Sequence, residues 1–254
     1  MLNRLMGIVP NAAEHGYQID LMLEFCHWFM LILFVGWSAF LLFTLIRFHR
    51  SRNPKADYYG VRTHASTHVE FMVVLVEAVL LLGFALPLWA KRVNDFPKPS
   101  DNPLVIKVIG QQFAWNFWYP GTDGKFGKPN PDMISPQEND PDGRDDILSP
   151  GELHLPVNRS VILEITSRDV IHSLSLHSMR ITQDAIPGSK FPAWFKPVRT
   201  GEYEIVCAQL CGMGHANMKA MMIVQTQEEF DAWVKQNGPQ PVPAPAPAPA
   251  APAK

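Results

Sequence analysis

The sequence predicts a two-helix membrane hairpin followed by an all-β sandwich or barrel. Three observations predict it. Two apolar runs in the first ninety residues are each long enough to cross a bilayer. From Pro103 onward the pattern changes to alternation with a period of two, bounded by Gly, Pro and Asn. Late in the chain, Cys207–Met218 (C-A-Q-L-C-G-M-G-H-A-N-M) gathers two thiols, an imidazole and a thioether, a soft donor set that needs a stiff scaffold to hold it.

Length and charge bound the rest. The chain has 254 residues, room for one or two domains. Its 22 Lys and Arg against 24 Asp and Glu leave no basic surplus for nucleic acid. Three cysteines are too few for a disulfide framework, and two of them lie in the late cluster. The first twenty residues carry Arg4 but no apolar run long enough for a secretory leader, so no cleaved signal peptide is expected.

Residues 1–19 form a short N-terminal segment. Asp20 then opens an apolar run to Arg47 whose only ionisable side chains are Glu24, Cys26 and His27. At about 1.5 Å per residue, some 20 helical residues span the roughly 30 Å hydrocarbon core. The second run, Phe71–Ala90, is interrupted by Glu77 and closed by Lys91 and Arg92. Helices are expected over about 20–46 and 68–90, within a hairpin of residues 20–92. Trp28, Trp37 and Trp89 suit interfacial anchors or helix contacts. The intervening loop holds Arg47, Arg50, Arg52, Lys55 and Arg62 against one acid, Asp57. That bias places the loop in the cytoplasm, with both termini and everything after Lys91 outside.

A β-domain is expected over residues 100–237. Phe113, Trp115, Phe117 and Tyr119 share one parity, as do Val161, Leu163 and Ile165. The same holds for His172, Leu174 and Leu176; for Tyr203, Ile205 and Cys207; and for Met218, Ala220, Met222 and Val224. Short period-two segments between turns predict an antiparallel sandwich or barrel. Pro120–Pro150 is rich in Gly, Pro and Asn and carries Asp123, Asp132, Glu138, Asp140, Asp142, Asp145 and Asp146, which predicts a long surface excursion. Gln227–Gln236 predicts a short closing helix. Residues 238–254, a Pro-Ala alternation from Pro239, predict an extended, disordered tail. There is no internal repeat and no haem-attachment motif.

Parity turns His172, Cys207 and Met218 inward, with Cys211 and His215 on the loop between strands. Taken singly, each has an ordinary role: a core histidine, a disulfide outside the cytoplasm, a packing methionine. Two Cys and two His also suit tetrahedral zinc. Together they favour copper. Cys211-x3-His215-x2-Met218 is close to the ligand loop of mononuclear blue-copper proteins, which leaves Cys207 as one thiolate too many for a single metal.

D-V-I-H-S (Asp169–Ser173), Q-D-A-I-P-G (Gln183–Gly188) and C-x-Q-x-C-G-x-G-H-x-x-M resemble subunit II of cytochrome c oxidase, and the resemblance runs over roughly residues 18–236. It implies a cupredoxin domain with a dinuclear CuA centre. By position, Cys207 and Cys211 would bridge two coppers, His172 and His215 would bind one each, Met218 would bind one, and the backbone carbonyl of Gln209 the other. It further implies electrons arriving from cytochrome c or a cytochrome c domain, and leaving for haem in subunit I. There oxygen is reduced to water with proton translocation. Subunit I with its haem and CuB, further oxidase subunits and the bilayer are the implied partners, in a bacterial plasma membrane, with no nucleic acid. Nothing in the chain resembles an oxygen-reducing haem site, so oxygen chemistry is expected elsewhere. The alternatives are a CuA subunit of another haem-copper enzyme, such as a nitric oxide reductase, and a membrane-anchored copper-delivery protein. A quinol-oxidase subunit would lack these ligands.

Further residues take expectations from the same resemblance. The commoner family pattern has Glu where this chain has Gln209; a neutral amide is a weaker ligand, which leaves the interfacial magnesium implied there an open expectation. G-Q-Q-F-A-W-N-F-W-Y (Gly110–Tyr119) resembles the aromatic stretch that receives electrons, which points to Phe113 and Trp115. Each also fits an ordinary strand stripe. Glu70 matches the glutamate at the mouth of a proton channel shared with subunit I, although the preceding T-H-A-S-T-H-V-E differs in spacing by a residue. It also suits an interfacial acid at a helix N-terminus. Glu77 should face a partner helix rather than lipid, and Cys26 and His27 are expected to be packing or interface residues. The acidic excursion suits attraction of a basic cytochrome c, or a solvated loop.

Overall fold

A computed structural model describes residues 2–60, 62–121, 123–129 and 140–238. The chain divides into a helical unit, chiefly Met1–Lys98, and a β unit, chiefly from Pro99 onward.

The helical unit contains α1 (Leu2–Leu5), α2 (Gly16–Arg47), α3 (Ala65–Leu80) and α4 (Leu86–Asn94), with a single wider turn, Leu81–Ala85, joining α3 to α4. The continuous helices Gly16–Arg47 and Ala65–Asn94 are long and apolar enough to cross a membrane. Both outrun the apolar segments by about a turn, because extending a formed helix adds one backbone bond per residue whatever the polarity of the side chain. Gly16 is the one buried residue of α2, and α3 and α4 have none. A helix apolar on every side suits hydrocarbon or partner helices. The wider turn precedes Pro87, which has no N–H for the carbonyl of Gly83 and whose ring would press on it, so the ladder shifts register there.

The polar groups at the start of the first run have local partners. The Leu2 and Asn3 amides donate to the Glu24 carboxylate at 2.6 and 2.9 Å, and His27 Nδ1 meets Asn3 Oδ1 at 2.8 Å. Glu70 is exposed and lies in the second turn of α3, whose first turn has no acid. The expectation that it sits at the helix N-terminus is therefore corrected: the helix begins earlier, in Ala65-Ser66-Thr67.

The β unit is two five-stranded sheets. One has the order β3-β2-β1-β5-β8, formed by β1 (Leu104–Gln111), β2 (Ala114–Tyr119), β3 (Ile147–Pro150), β5 (Val161–Ser167) and β8 (Phe191–Phe195). The other has the order β4-β10-β9-β6-β7, formed by β4 (Glu152–Pro156), β6 (His172–Leu176), β7 (Ile181–Ala185), β9 (Gly201–Cys207) and β10 (Lys219–Gln225). The sheets are mixed, not purely antiparallel: β1 pairs parallel with β5, and β4 with β10. Parity says which face a side chain takes and nothing about strand direction. Between β1 and β5 the chain crosses to the second sheet as β4 and returns, the kind of long connection parallel neighbours need.

Cross-strand register explains the core. Val108 opposite Phe117, Ile106 beside Leu163 and Met222 beside Leu153 put these side chains on the inner faces, and all are fully buried. The Trp118, Ser173 and Ser175 side chains, of the opposite parity, are also covered. The closing helix forms as α5 (Gln227–Asn237), started by a capping box between Thr226 and Glu229. Its Trp233 stacks on His154 at 4.3 Å and meets Tyr119 edge-on at 4.9 Å.

The Pro120–Pro150 excursion is shorter than expected. Its last four residues are β3, with Ile147 buried opposite Tyr119. Several acids serve the loop itself: Asp123, Asp140, Asp145 and Asp146 accept backbone N–H bonds from Lys125, Lys128, Asp123 and Gly127. Asp132, Glu138 and the Pro-Ala tail from Pro239 lie outside the described residues.

Candidate metal centre

The expected donors converge at one end of the second sheet. β6 begins with His172, β9 ends with Cys207, and Leu174 lies opposite Cys207. The Cys207 amide donates to the Met218 carbonyl at 3.1 Å, which closes the loop between β9 and β10. Cys211 and His215 lie on that loop. Gly212, at φ +138°, takes a backbone conformation that a side chain would strain.

The donor atoms surround two sulfurs. Cys207 Sγ lies 3.9 Å from Cys211 Sγ, 4.0 Å from His172 Nδ1 and 3.2 Å from the Gln209 carbonyl oxygen. Cys211 Sγ lies 3.7 Å from His215 Nδ1 and 3.8 Å from Met218 Sδ. Two donors that share a metal through bonds of about 2.0–2.3 Å can stand no more than roughly 4.3–4.6 Å apart. Every spacing meets that limit, so the residues fit a metal. Both thiols are free, and His172, Cys207 and Cys211 form a buried cluster able to hold an ion.

Neighbouring groups set the ligands' state. The Nε2 atom of His172 meets Asp169 Oδ1 at 2.8 Å, which turns Nδ1 toward the sulfurs. Burial alone would raise the Asp169 carboxyl; the Gln112 amide, His172 and the Val170 amide outweigh it and hold the carboxyl below its usual range. Burial, and then the neighbouring Cys207, push the Cys211 thiol up to about 11. Metal-free Cys211 therefore keeps its proton at neutral pH, and metal uptake must release it.

The aromatic stretch divides by exposure. Trp115 is fully buried and meets the His172 ring edge-on at 5.9 Å. Phe113 is 39% exposed. Its ring lies over the loop glycines: a Cβ added at Gly214 would come within 2.5 Å of it. His172, Cys207, Gln209, Cys211, His215, Met218, Phe113 and Trp115 thus come together. Glu70 belongs to the helical unit.

Asp169 and Gln112 lie inside the motifs described above, yet those motifs assign neither a role. Asp169 had a signal, an acid three residues before an inward histidine. Gln112 had none. Its Nε2 donates to the Cys211 carbonyl at 2.7 Å across ninety-nine residues of chain, a pairing that only the fold creates.

The cytochrome c oxidase subunit II periplasmic-domain family matches residues 104–226. The alternative cytochrome c oxidase subunit 2 of Bradyrhizobium diazoefficiens is 30% identical over 237 residues, covering 89% of this chain and 82% of that protein. The cytochrome c oxidase subunit 2 of Cereibacter sphaeroides is 28% identical over 254 residues, covering 91% of this chain and 79% of that protein. A crystal structure of the periplasmic domain of subunit II from Bradyrhizobium japonicum is 32% identical, covers 53% of this chain and 92% of that domain, and superposes with a TM-score of 0.41. At 30% identity over 82% of the Bradyrhizobium diazoefficiens subunit's length, this likeness shows that the chain belongs to the cytochrome c oxidase subunit II family.

Proposed function

We propose that the chain holds a dinuclear CuA centre, and that through it the chain accepts electrons from cytochrome c for a haem-bearing subunit I. The observation that carries this reading is the number and placement of donors. Six donor atoms are gathered that would hold two metal ions: two thiols, two imidazole nitrogens, a thioether and the Gln209 carbonyl. One tetrahedral ion would leave two of them idle. When bound, such a pair supplies one-electron uptake and release, with the charge shared over two metals.

This chain's residues supply the surroundings. Asp169 fixes the His172 ring, the inner faces of both sheets keep water from Cys207 and Met218, and Gln209 faces the sulfurs with its backbone while its side chain is exposed. Phe113 offers an exposed surface above the ligand loop where a donor could arrive, with Trp115 buried behind it. No magnesium is proposed at Gln209. The hairpin anchors the domain, with both termini and the β unit outside the cytoplasm, and Glu70 opens a proton path shared with subunit I.

Metal analysis and EPR of the purified complex test the centre. The expected result is two coppers per chain with hyperfine splitting shared over two copper nuclei; zinc, or one copper per chain, would refute it. Haem spectra of the copurified subunit test the partner. Phe113→Ala and Trp115→Ala should slow cytochrome c oxidation with copper retained, and normal turnover in both would sink the electron-receiving surface. Unchanged proton uptake in Glu70→Ala would remove the channel-mouth role.

A further inference from the structure

We propose that Gln112 is a positioning residue that ties the two halves of the donor set together, an inference that rests on the copper reading above. Gln112 and Phe113 form the two-residue turn between β1 and β2, since Gln111 pairs with Ala114. The Gln112 backbone amide donates to Asp169 Oδ2 at 2.7 Å, while Asp169 Oδ1 holds His172 Nε2. Its side-chain Nε2 donates to the Cys211 carbonyl at 2.7 Å. One residue therefore touches both the carboxylate that orients His172 and the backbone of the loop that carries Cys211 and His215.

The close approach has a steric basis. A Cβ at Gly212 would lie 2.8 Å from Gln112 Nε2 and 3.1 Å from the Phe113 ring, so a side chain there would push the Gln112 amide out of its place. His172 and Cys211 belong to separate segments, β6 and the β9–β10 loop. The β6–β9 ladder, continued by the Ala208 amide on the Ser173 carbonyl at 2.9 Å, fixes Cys207 against β6 and stops short of Cys211. The Gln112 bond carries the connection on to Cys211 itself. It also couples the exposed Phe113 surface mechanically to the ligands, because turn and loop move together.

The side-chain bond can be cut without touching the backbone bond to Asp169. Gln112 is itself exposed, so its replacement opens no core. Gln112→Ala removes the donor, and Gln112→Glu keeps the shape while replacing the donor with an acceptor. Both should keep two coppers per chain in the assembled complex yet change the copper hyperfine splitting and shift the midpoint potential. In the metal-free full chain, the loop amides of His215, Asn217 and Met218 should exchange with solvent about tenfold faster, the order set by one lost hydrogen bond. Unchanged exchange and splitting in Gln112→Ala would overturn the tie, and so would a Gln112→Glu protein indistinguishable from the parent. A parent protein without two coppers would instead overturn the copper reading, and the metal-free exchange would still judge the tie.

Discussion

The hairpin and the β unit use the same apolar residues in opposite ways. In α2 and α3, Phe34, Val35, Leu42 and Val74 point outward and nothing but Gly16 is buried. In the β unit, Ile106, Phe117, Leu163 and Leu174 are wholly enclosed. The β unit completes its own solvent-free interior, whereas the hairpin takes its apolar surroundings from lipid or from partner helices. A site that depends on sub-ångström spacing of donors belongs in the self-completed unit, because packed cores resist deformation. Among the described residues the hairpin has no comparable interior, and polar ties from Glu24 to the Leu2 and Asn3 amides fasten α1 to α2.

The largest break in that comparison should come from the metal end. Cys211→Ser removes one of the two sulfurs at the centre of the donor set, and the dinuclear copper signature should vanish from the EPR spectrum while membrane insertion persists. Retention of two coppers with the parent splitting would show that Cys211 is no bridge.

Next in size is the core. Leu163→Ala should cost about 2–5 kcal/mol, the range for truncating a buried leucine. Leu42→Ala, on an exposed helix face, should cost under about 1 kcal/mol in the detergent-solubilised chain. Denaturant unfolding followed by tryptophan signal compares the two, and equal costs would erase the distinction between the regions.

A smaller, pH-dependent effect is expected at the other end of the sandwich. Burial pushes the Tyr119 phenol above its ordinary value of 10.0. Its hydroxyl donates to the His154 carbonyl at 3.1 Å and accepts from the His154 amide at 2.6 Å. The folded state holds the phenol protonated while the unfolded chain ionises near 10, so this stability is fully present below that pH and is lost as pH rises further. Tyr119→Phe should be less stable at neutral pH by about 1–3 kcal/mol, the cost of orphaning buried backbone groups. It should also show a flatter alkaline limb in stability against pH, with copper content unchanged.

The smallest effect is expected at the exposed Lys219–Glu204 pair, 2.7 Å apart. Lys219→Ala should change stability by no more than about 1 kcal/mol, because water screens both partners. A larger loss would mean that this edge of β9 and β10 contributes more than surface charge.

Much of this protein is legible in its amino-acid order. Apolar runs of membrane length report α2 and α3 directly, because crossing hydrocarbon is a demand on composition alone. Period-two alternation placed His172, Cys207 and Met218 on inner faces, because strand parity is local geometry. Five candidate side-chain donors follow from their types and spacing, and the sixth, the Gln209 carbonyl, from the family resemblance. Strand direction was different: the parallel pairs β1–β5 and β4–β10 depend on where the chain crosses between sheets, which no window of residues records. β3, expected as surface loop, became a strand because Tyr119 and Trp118 offered it an edge to pair with.

Gln112 marks the boundary most sharply. Its type and its neighbours say only that a turn falls between two strands. That it bonds the Cys211 carbonyl, with its amide on Asp169, comes from two sheets closing over one core and bringing the turn and the loop together. Type and spacing mark five side chains as candidate donors, because ligand chemistry belongs to individual side chains, whereas the Gln209 carbonyl is implied only by the family resemblance. The distances between those donors are set by contacts across the whole sandwich, and those exist only once it has folded.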